Sequence, residues 1–289
     1  MDPSTSSPSG SESGGVRGQV VVITGVTSGV GRSLAQCFAR AGATVLGMGR
    51  RTMLGDELAA SMTAYGQTMT FVTGDVREVD DCERLIATAI ERHGRIDIVI
   101  NNAGTVGSRP VADAHTVTEA LWDEVVDTNL KGAFFCSRFA LVHMAEQRSG
   151  LIVNIASMNA VNPLARMQPY NVSKAGLVHL GQGLAVEYRD RGIRVNTIIL
   201  GGVVDGGTGD EVRRAIAEYV TGVSPDPTEP APKGRNSVTG DEVAAAVLAL
   251  CSPDCSIITG ATIAIDGAVS AGLLASKFLY MDPTRGGTA

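Results

Sequence analysis

The chain has 289 residues, 44% hydrophobic and 19% charged, enough to bury the core of one large α/β domain or two small ones. Its formal net charge is -6 and no run of Lys and Arg forms a basic stripe, which argues against a nucleic-acid partner. The apolar runs are too short to cross a bilayer and no leader pattern opens the chain. The five scattered cysteines (Cys37, Cys82, Cys136, Cys251, Cys255) carry neither a disulfide pattern nor a metal pattern, so no membrane, no metal and a reducing, cytoplasmic setting are expected.

Residues 1–17 are mostly Ser, Gly and Pro and predict a disordered tail outside the fold. Gln19 to Thr24 is a short β-branched run that reads as a buried strand. The turn Gly25-Val26-Thr27-Ser28-Gly29-Val30-Gly31 follows, then a stretch with helical periodicity. A strand, a glycine turn and a helix form a dinucleotide site. The glycines let the backbone approach a pyrophosphate, and the helix N-terminus favours its charge. A tight turn without a ligand is the plainer reading, and the strand–turn–helix context favours the cofactor.

Thr44 to Met48 predicts a second strand, followed by Gly49-Arg50-Arg51. An acid at this strand end would grip ribose hydroxyls. Two arginines in its place suit a 2′-phosphate, so NADP is expected as cofactor, with NAD possible. Further strands are predicted at Met69 to Val72, leading into Gly74-Asp75-Val76, and at Ile96 to Ile100, ending at Asn101-Asn102-Ala103-Gly104, with a helix from Glu78 to His93 between them. This alternation predicts a parallel, doubly wound α/β sheet in a single domain, with ligands at the carboxyl ends of its strands.

Thr118 caps one long predicted helix that contains Asn129 beside Gly132. A strand from Gly150 to Ile155 ends at Ser157, thirteen residues before Tyr170. On the next predicted helix Tyr170 and Lys174 are four residues apart and share a face. An ammonium beside a phenol lowers its pKa, and such a tyrosine can exchange a proton with an alcohol or carbonyl oxygen. Met158, Asn159, Ala160, Met167 and Gln168 are the candidate substrate wall beside the pair.

After a strand from Ile193 to Ile199, residues 203–237 are rich in Gly and Pro and contain a short predicted helix (Glu211 to Val220). A connection this long predicts a substrate lid. A helix from Gly240 to Leu250 and a strand from Thr262 to Asp266 complete a domain of residues 18–270, and 271–289 reads as a C-terminal tail.

Together, TGVTSGVG (24–31), GDV (74–76), NNAG (101–104), Asn129, Ser157, YNVSK (170–174) and ITGATIAIDG (258–267) resemble the short-chain dehydrogenase/reductase family over roughly residues 17–270. The resemblance implies a three-layer Rossmann-like fold and an NAD(P)-dependent oxidoreductase acting on a small-molecule carbonyl or alcohol. It makes Tyr170 the general acid/base, with Ser157 holding the substrate oxygen. Lys174 would bind the nicotinamide ribose and lower the tyrosine pKa, and Asn129 would hold a water of a proton relay.

The implied cofactor contacts are Gly25, Thr27, Ser28, Gly29, Val30 and Gly31 of the turn, Arg50 and Arg51, Asp75 at the adenine with Val76, Asn102, Ala103 and Gly104, Tyr170 and Lys174, and Gly201 and Val203. A homo-oligomer, tetramer or dimer, built on the helices near Thr118 and Tyr170 is implied as well. Two places depart from the family pattern. Leu200-Gly201 stands where Pro-Gly is usual, with Asp205 where a hydroxyl residue touches the carboxamide, and Asp266-Gly267-Ala268 stands for Asp-Gly-Gly. A non-redox isomerase, dehydratase or cyclase on the same scaffold, or a binding protein with a vestigial site, are the rival functions. Retention of the Ser-Tyr-Lys-Asn set weighs against both.

Overall fold

The computed structural model describes residues 15–204, 206–223, 226 and 237–271. Most of both expected tails therefore lies outside the described residues. Among the described residues seven strands form one sheet: β1 (Val20–Thr24), β2 (Thr44–Gly49), β3 (Thr68–Thr73), β4 (Ile98–Asn101), β5 (Gly150–Ser157), β6 (Ile193–Leu200) and β7 (Thr262–Ile265). Their order is β3-β2-β1-β4-β5-β6-β7 and every pairing is parallel. The order reverses between β1 and β4, so a crevice opens above the carboxyl ends of those two strands.

Alternate residues of each strand feed opposite layers, as a two-residue period requires. Val21 and Ile23, with Ile98 and Ile100, pack under α1 (Gly29–Arg40), α2 (Thr52–Ala64) and α8 (Gly240–Leu250). Val20 and Val22, with Val99 and Ile152, pack under α3 (Val79–His93), α5 (Gly132–Gln147) and α6 (Gln168–Tyr188). Phe38 on α1 is fully buried, and burial of a side chain that size stabilises the fold by about 1.5–3 kcal/mol. Val16, which falls within the expected tail, is buried in the first of these cores.

The single long helix expected from Thr118 is interrupted. Thr118 does cap α4 (Glu119–Val126), accepting the Leu121 N–H at 3.3 Å. Residues Asp127–Lys131 then form a π-turn before α5 begins. Gly132 explains part of the break: a Cβ there would stand 2.7 Å from both the carbonyl oxygen and the Cβ of Val76, so the chain passes too close to β3's exit for any side chain. Single π-turns of this kind are frequent at functional sites, and this one carries Asn129.

The segment after β6 contains α7 (Thr208–Thr221), one turn longer at its start than predicted. Its two ends are pinned together where Val203 pairs with Val238, and the Val238 N–H donates to Gly202 at 2.9 Å. Asp205 and most of the Pro-rich stretch lie outside the described residues.

Candidate active site

At the sheet reversal, a cavity of about 470 Å³ runs from Arg50 and Arg51 past the glycine turn to Ser157 and Tyr170. Gly25 has φ +75°, and a Cβ on Gly31 would fall 2.1 Å from the Gly25 carbonyl, so both positions require glycine. Ser28 is the N-cap of α1, but its side chain makes no capping bond and the first turn holds no acid. The first turn thus has neither a side-chain cap nor an acid, which suits an anion such as a diphosphate. Arg51 crosses this turn. Its Nη2 lies 2.7 Å from both Thr27 Oγ1 and Ser28 Oγ. Arg50 is exposed and approaches Asp75 only to 3.9 Å.

Asp75 is held by Arg77 at 2.7 and 3.0 Å. Burial alone would raise its carboxyl, but the hydrogen bonds and charge of Arg77, helped by Arg50, outweigh that and hold it below the usual carboxylate range. Asn102 donates from Nδ2 to the carbonyls of Thr24 (2.9 Å) and Gly25 (3.2 Å), locking the turn to the end of β4. Thr24, a residue sequence reasoning passed over, takes the Asn102 and Ala103 amides on its hydroxyl at 3.1 and 3.0 Å. A hydroxyl closing an apolar strand was the available signal. Asn101 turns instead into the core, where Nδ2 bonds Ser137 and Asn154, each at 2.9 Å.

Ser157 ends β5, and its hydroxyl accepts the Asn159 N–H at 3.2 Å. Tyr170 stands on the first turn of α6, and Lys174 one turn on; both are buried. Lys174 Nζ donates to the Ile155 carbonyl at 3.0 Å and sits 5.8 Å from the centre of the Tyr170 ring. A Cβ on Gly104 would come within 3.3 Å of both Lys174 Nζ and Asn129 Oδ1, so this residue keeps the space above the lysine clear. Asn129 Oδ1 accepts the Thr105 N–H at 2.8 Å, and Nδ2 donates to the Thr105 carbonyl and to Ser173 Oγ, each at 2.9 Å.

The Tyr170 phenol lies above its ordinary value, not below it as expected beside Lys174. Burial pushes the phenol up to about 12; the Ser157 hydroxyl lowers it and the Glu211 carboxylate raises it. Burial also lowers Lys174 to about 8, because an ammonium is poorly solvated there. Desolvation is the largest cause of the shift in both groups.

The segment after β6 contributes residues that sequence reasoning did not single out. Thr208 Oγ1 donates to the Gly104 carbonyl at 2.7 Å. Val212 and Ala215 pack with Val106, Met167 and Tyr170. Thr208 lies three residues beyond Asp205, where the hydroxyl was sought, and that offset hid it. Of the expected substrate wall, Met167 belongs to this apolar cluster, whereas Asn159 is buried and donates to Asn171 Oδ1 at 3.1 Å. Gly201 and Val203 do line the cavity, as do Val30, Val76 and Ala103.

The short chain dehydrogenase family model matches residues 19–215 of the chain. Over 258 residues the chain is 33% identical to the short chain dehydrogenase/reductase astE of Aspergillus oryzae, covering 88% of this chain and 96% of that one. It is 32% identical over 256 residues to cis-4-hydroxycyclohexanecarboxylate dehydrogenase of Sinomonas cyclohexanicum, covering 88% and 97%. The crystal structure of levodione reductase matches with a TM-score of 0.76 at 31% identity, covering 88% and 98%. A match this long, on a sheet of this order, means that the chain belongs to the short-chain dehydrogenase/reductase family and is an oxidoreductase of it.

Proposed function

We propose that the protein is an NADP(H)-dependent oxidoreductase that interconverts a secondary alcohol and a ketone on a mid-sized, largely apolar substrate. The observation that carries this is the continuous cavity joining the glycine turn and the two arginines to Ser157, Tyr170 and Lys174. When bound, the nicotinamide supplies or accepts the hydride. The chain's own residues do the rest. In the reducing direction the Tyr170 hydroxyl gives its proton to the carbonyl oxygen while the carbonyl carbon gains the hydride. In the oxidising direction the alcohol proton passes to Tyr170 in its phenolate form, while the carbinol carbon gives up the hydride. A phenol raised to about 12 keeps its proton at neutral pH, so the proton is in place for the reducing direction. Ser157 donates a second hydrogen bond to the same oxygen, and Lys174 and Asn129 hold the helix and the cleft wall around it.

Val106, Leu121, Val125 and Met167 form the apolar cluster around Tyr170, with Val212 of α7 packed against it, and this supports an apolar substrate. The names of the two relatives cited last describe one dehydrogenase and one reductase, the two directions of such a reaction. Exposed apolar side chains on α4, α5 and α6, among them Trp122, Phe134 and Val186, support a homo-oligomer built on those helices. Free cysteines throughout support a reducing, cytoplasmic location.

Purified protein incubated with NADPH and a panel of ketones tests the function. Loss of NADPH absorbance that depends on both protein and ketone is expected. No loss with any member, with NADPH or NADH, overturns the redox reading.

A further inference from the structure

Ser173 lies between Tyr170 and Lys174 on α6. It is fully buried, yet its hydroxyl is bonded on both sides. It donates to the Tyr170 carbonyl at 2.8 Å and accepts from Asn129 Nδ2 at 2.9 Å. The other Nδ2 proton goes to the Thr105 carbonyl at 2.9 Å, and Oδ1 takes the Thr105 N–H at 2.8 Å. Thr105 follows Gly104, whose carbonyl receives the Thr208 hydroxyl at 2.7 Å. A run of hydrogen-bonded residues thus leads from lid helix α7, along the cleft wall at Gly104 and Thr105, through Asn129 on the π-turn, to the helix that carries Tyr170 and Lys174.

We propose that Ser173 is a positioning residue for proton transfer: it ties Asn129 to α6 and so sets the height of Tyr170 against the cleft wall. This rests on the redox reading above. Thr105 offers a donor and an acceptor side by side, so it alone orients the Asn129 carboxamide. It leaves undetermined where that carboxamide stands relative to α6. Ser173 supplies that link, because a hydroxyl accepts from an amide and donates to a carbonyl at the same time. Alanine would keep the packing but strand one Asn129 Nδ2 proton in a buried place. The lost link lets α6 and the cleft wall shift by fractions of an ångström, and a transferring proton is sensitive to such distances.

The test compares wild type, Ser173→Ala, Asn129→Ala and the double variant, with NADPH and a ketone that the wild type reduces. Ser173→Ala should lower kcat about tenfold, the rate equivalent of one neutral hydrogen bond, with the NADPH dissociation constant unchanged. In the Asn129→Ala background the same substitution should cost nothing further, because the link is already gone. Ser173→Cys, close in size but a weaker donor and acceptor, should fall between. A merely structural Ser173 would lower thermal stability in both backgrounds and leave kcat alone. Unchanged kcat in Ser173→Ala, or losses that simply add in the double variant, overturns the proposal. A wild type that turns over no ketone overturns the redox reading instead.

Discussion

Lys174 Nζ lies 3.0 Å from the carbonyl oxygen of Ile155 and 5.8 Å from the centre of the Tyr170 ring, so the ammonium is anchored to β5 rather than to the phenol. Lys174 and Tyr170 therefore share a helix face without being directly hydrogen-bonded to each other. Their shared burial raises one pKa and lowers the other, and both remain protonated at neutral pH. The resting site is thus charged on the lysine and loaded with a transferable proton on the tyrosine.

Tyr170→Phe removes that proton and little else. Turnover should fall by about 10²-fold or more, the scale of general acid–base catalysis. The NADPH dissociation constant, measured by fluorescence, should stay near wild type because the glycine turn is untouched. Near-normal turnover would remove Tyr170 from the acid/base role.

The depressed Lys174 pKa makes stability depend on pH in a definite direction. Between about 8 and the ordinary value of 10.5 the unfolded chain keeps the proton and the folded chain has lost it. Protons are then bound preferentially by the unfolded state, so this residue's contribution to stability rises with pH across that window. A tenfold change in proton affinity is equivalent to about 1.4 kcal/mol, so the full window is worth at most roughly 3–4 kcal/mol. Urea unfolding of wild type and Lys174→Met at pH 8 and pH 10 isolates it: wild type should gain on the variant as pH rises. A difference that shrinks or stays flat contradicts the assignment.

Arg50 and Arg51 should divide the cofactor's charges between them. Arg51 spends its donors on Thr27 and Ser28 at 2.7 Å, whereas the Arg50 side chain is 67% exposed and only loosely paired with Asp75. A charge-assisted contact to a 2′-phosphate is worth roughly 1.5–3 kcal/mol, and exposure puts Arg50 at the lower end, about a tenfold preference for NADPH over NADH. Arg50→Ala should bring the ratio of dissociation constants near one. Arg51→Ala should weaken both cofactors together. Equal wild-type affinities for the two cofactors would mean that the 2′-phosphate is not recognised.

Helix α7 is expected to act as a lid latched through Thr208. Amide hydrogen exchange over 208–221 should slow when NADPH and a ketone bind, while the β1 amides do not change. Thr208→Val removes the bond to Gly104. It should speed exchange in α7 and raise KM for the ketone several-fold. Identical protection with and without ligands would mean that α7 is fixed.

Much of the scaffold was legible along the chain. Alternating β-branched runs and glycine punctuation located the strands and the turn, and α8 spans Gly240–Leu250 as predicted. Those signals are local, since residues two or four apart decide which face of an element is apolar. The π-turn at Asp127–Lys131 escaped because it adds one residue to a helical turn and barely disturbs the periodicity. What decides it is the approach of Gly132 to Val76 and of Asn129 to Thr105, contacts between separate elements. Asn159 looked like a wall residue from its neighbours, and its partner Asn171 turned it inward.

The order of the elements, the glycine turn and the Tyr170–Lys174 spacing are readable along the chain, because each depends on a few consecutive residues. What surrounds them follows from packing between elements far apart in the chain. Burial from several elements pushes the Tyr170 phenol up and the Lys174 ammonium down. Thr208 reaches Gly104 across 104 residues of chain. Desolvation and hydrogen bonding act through distance in space, and the folded sheet sets that distance.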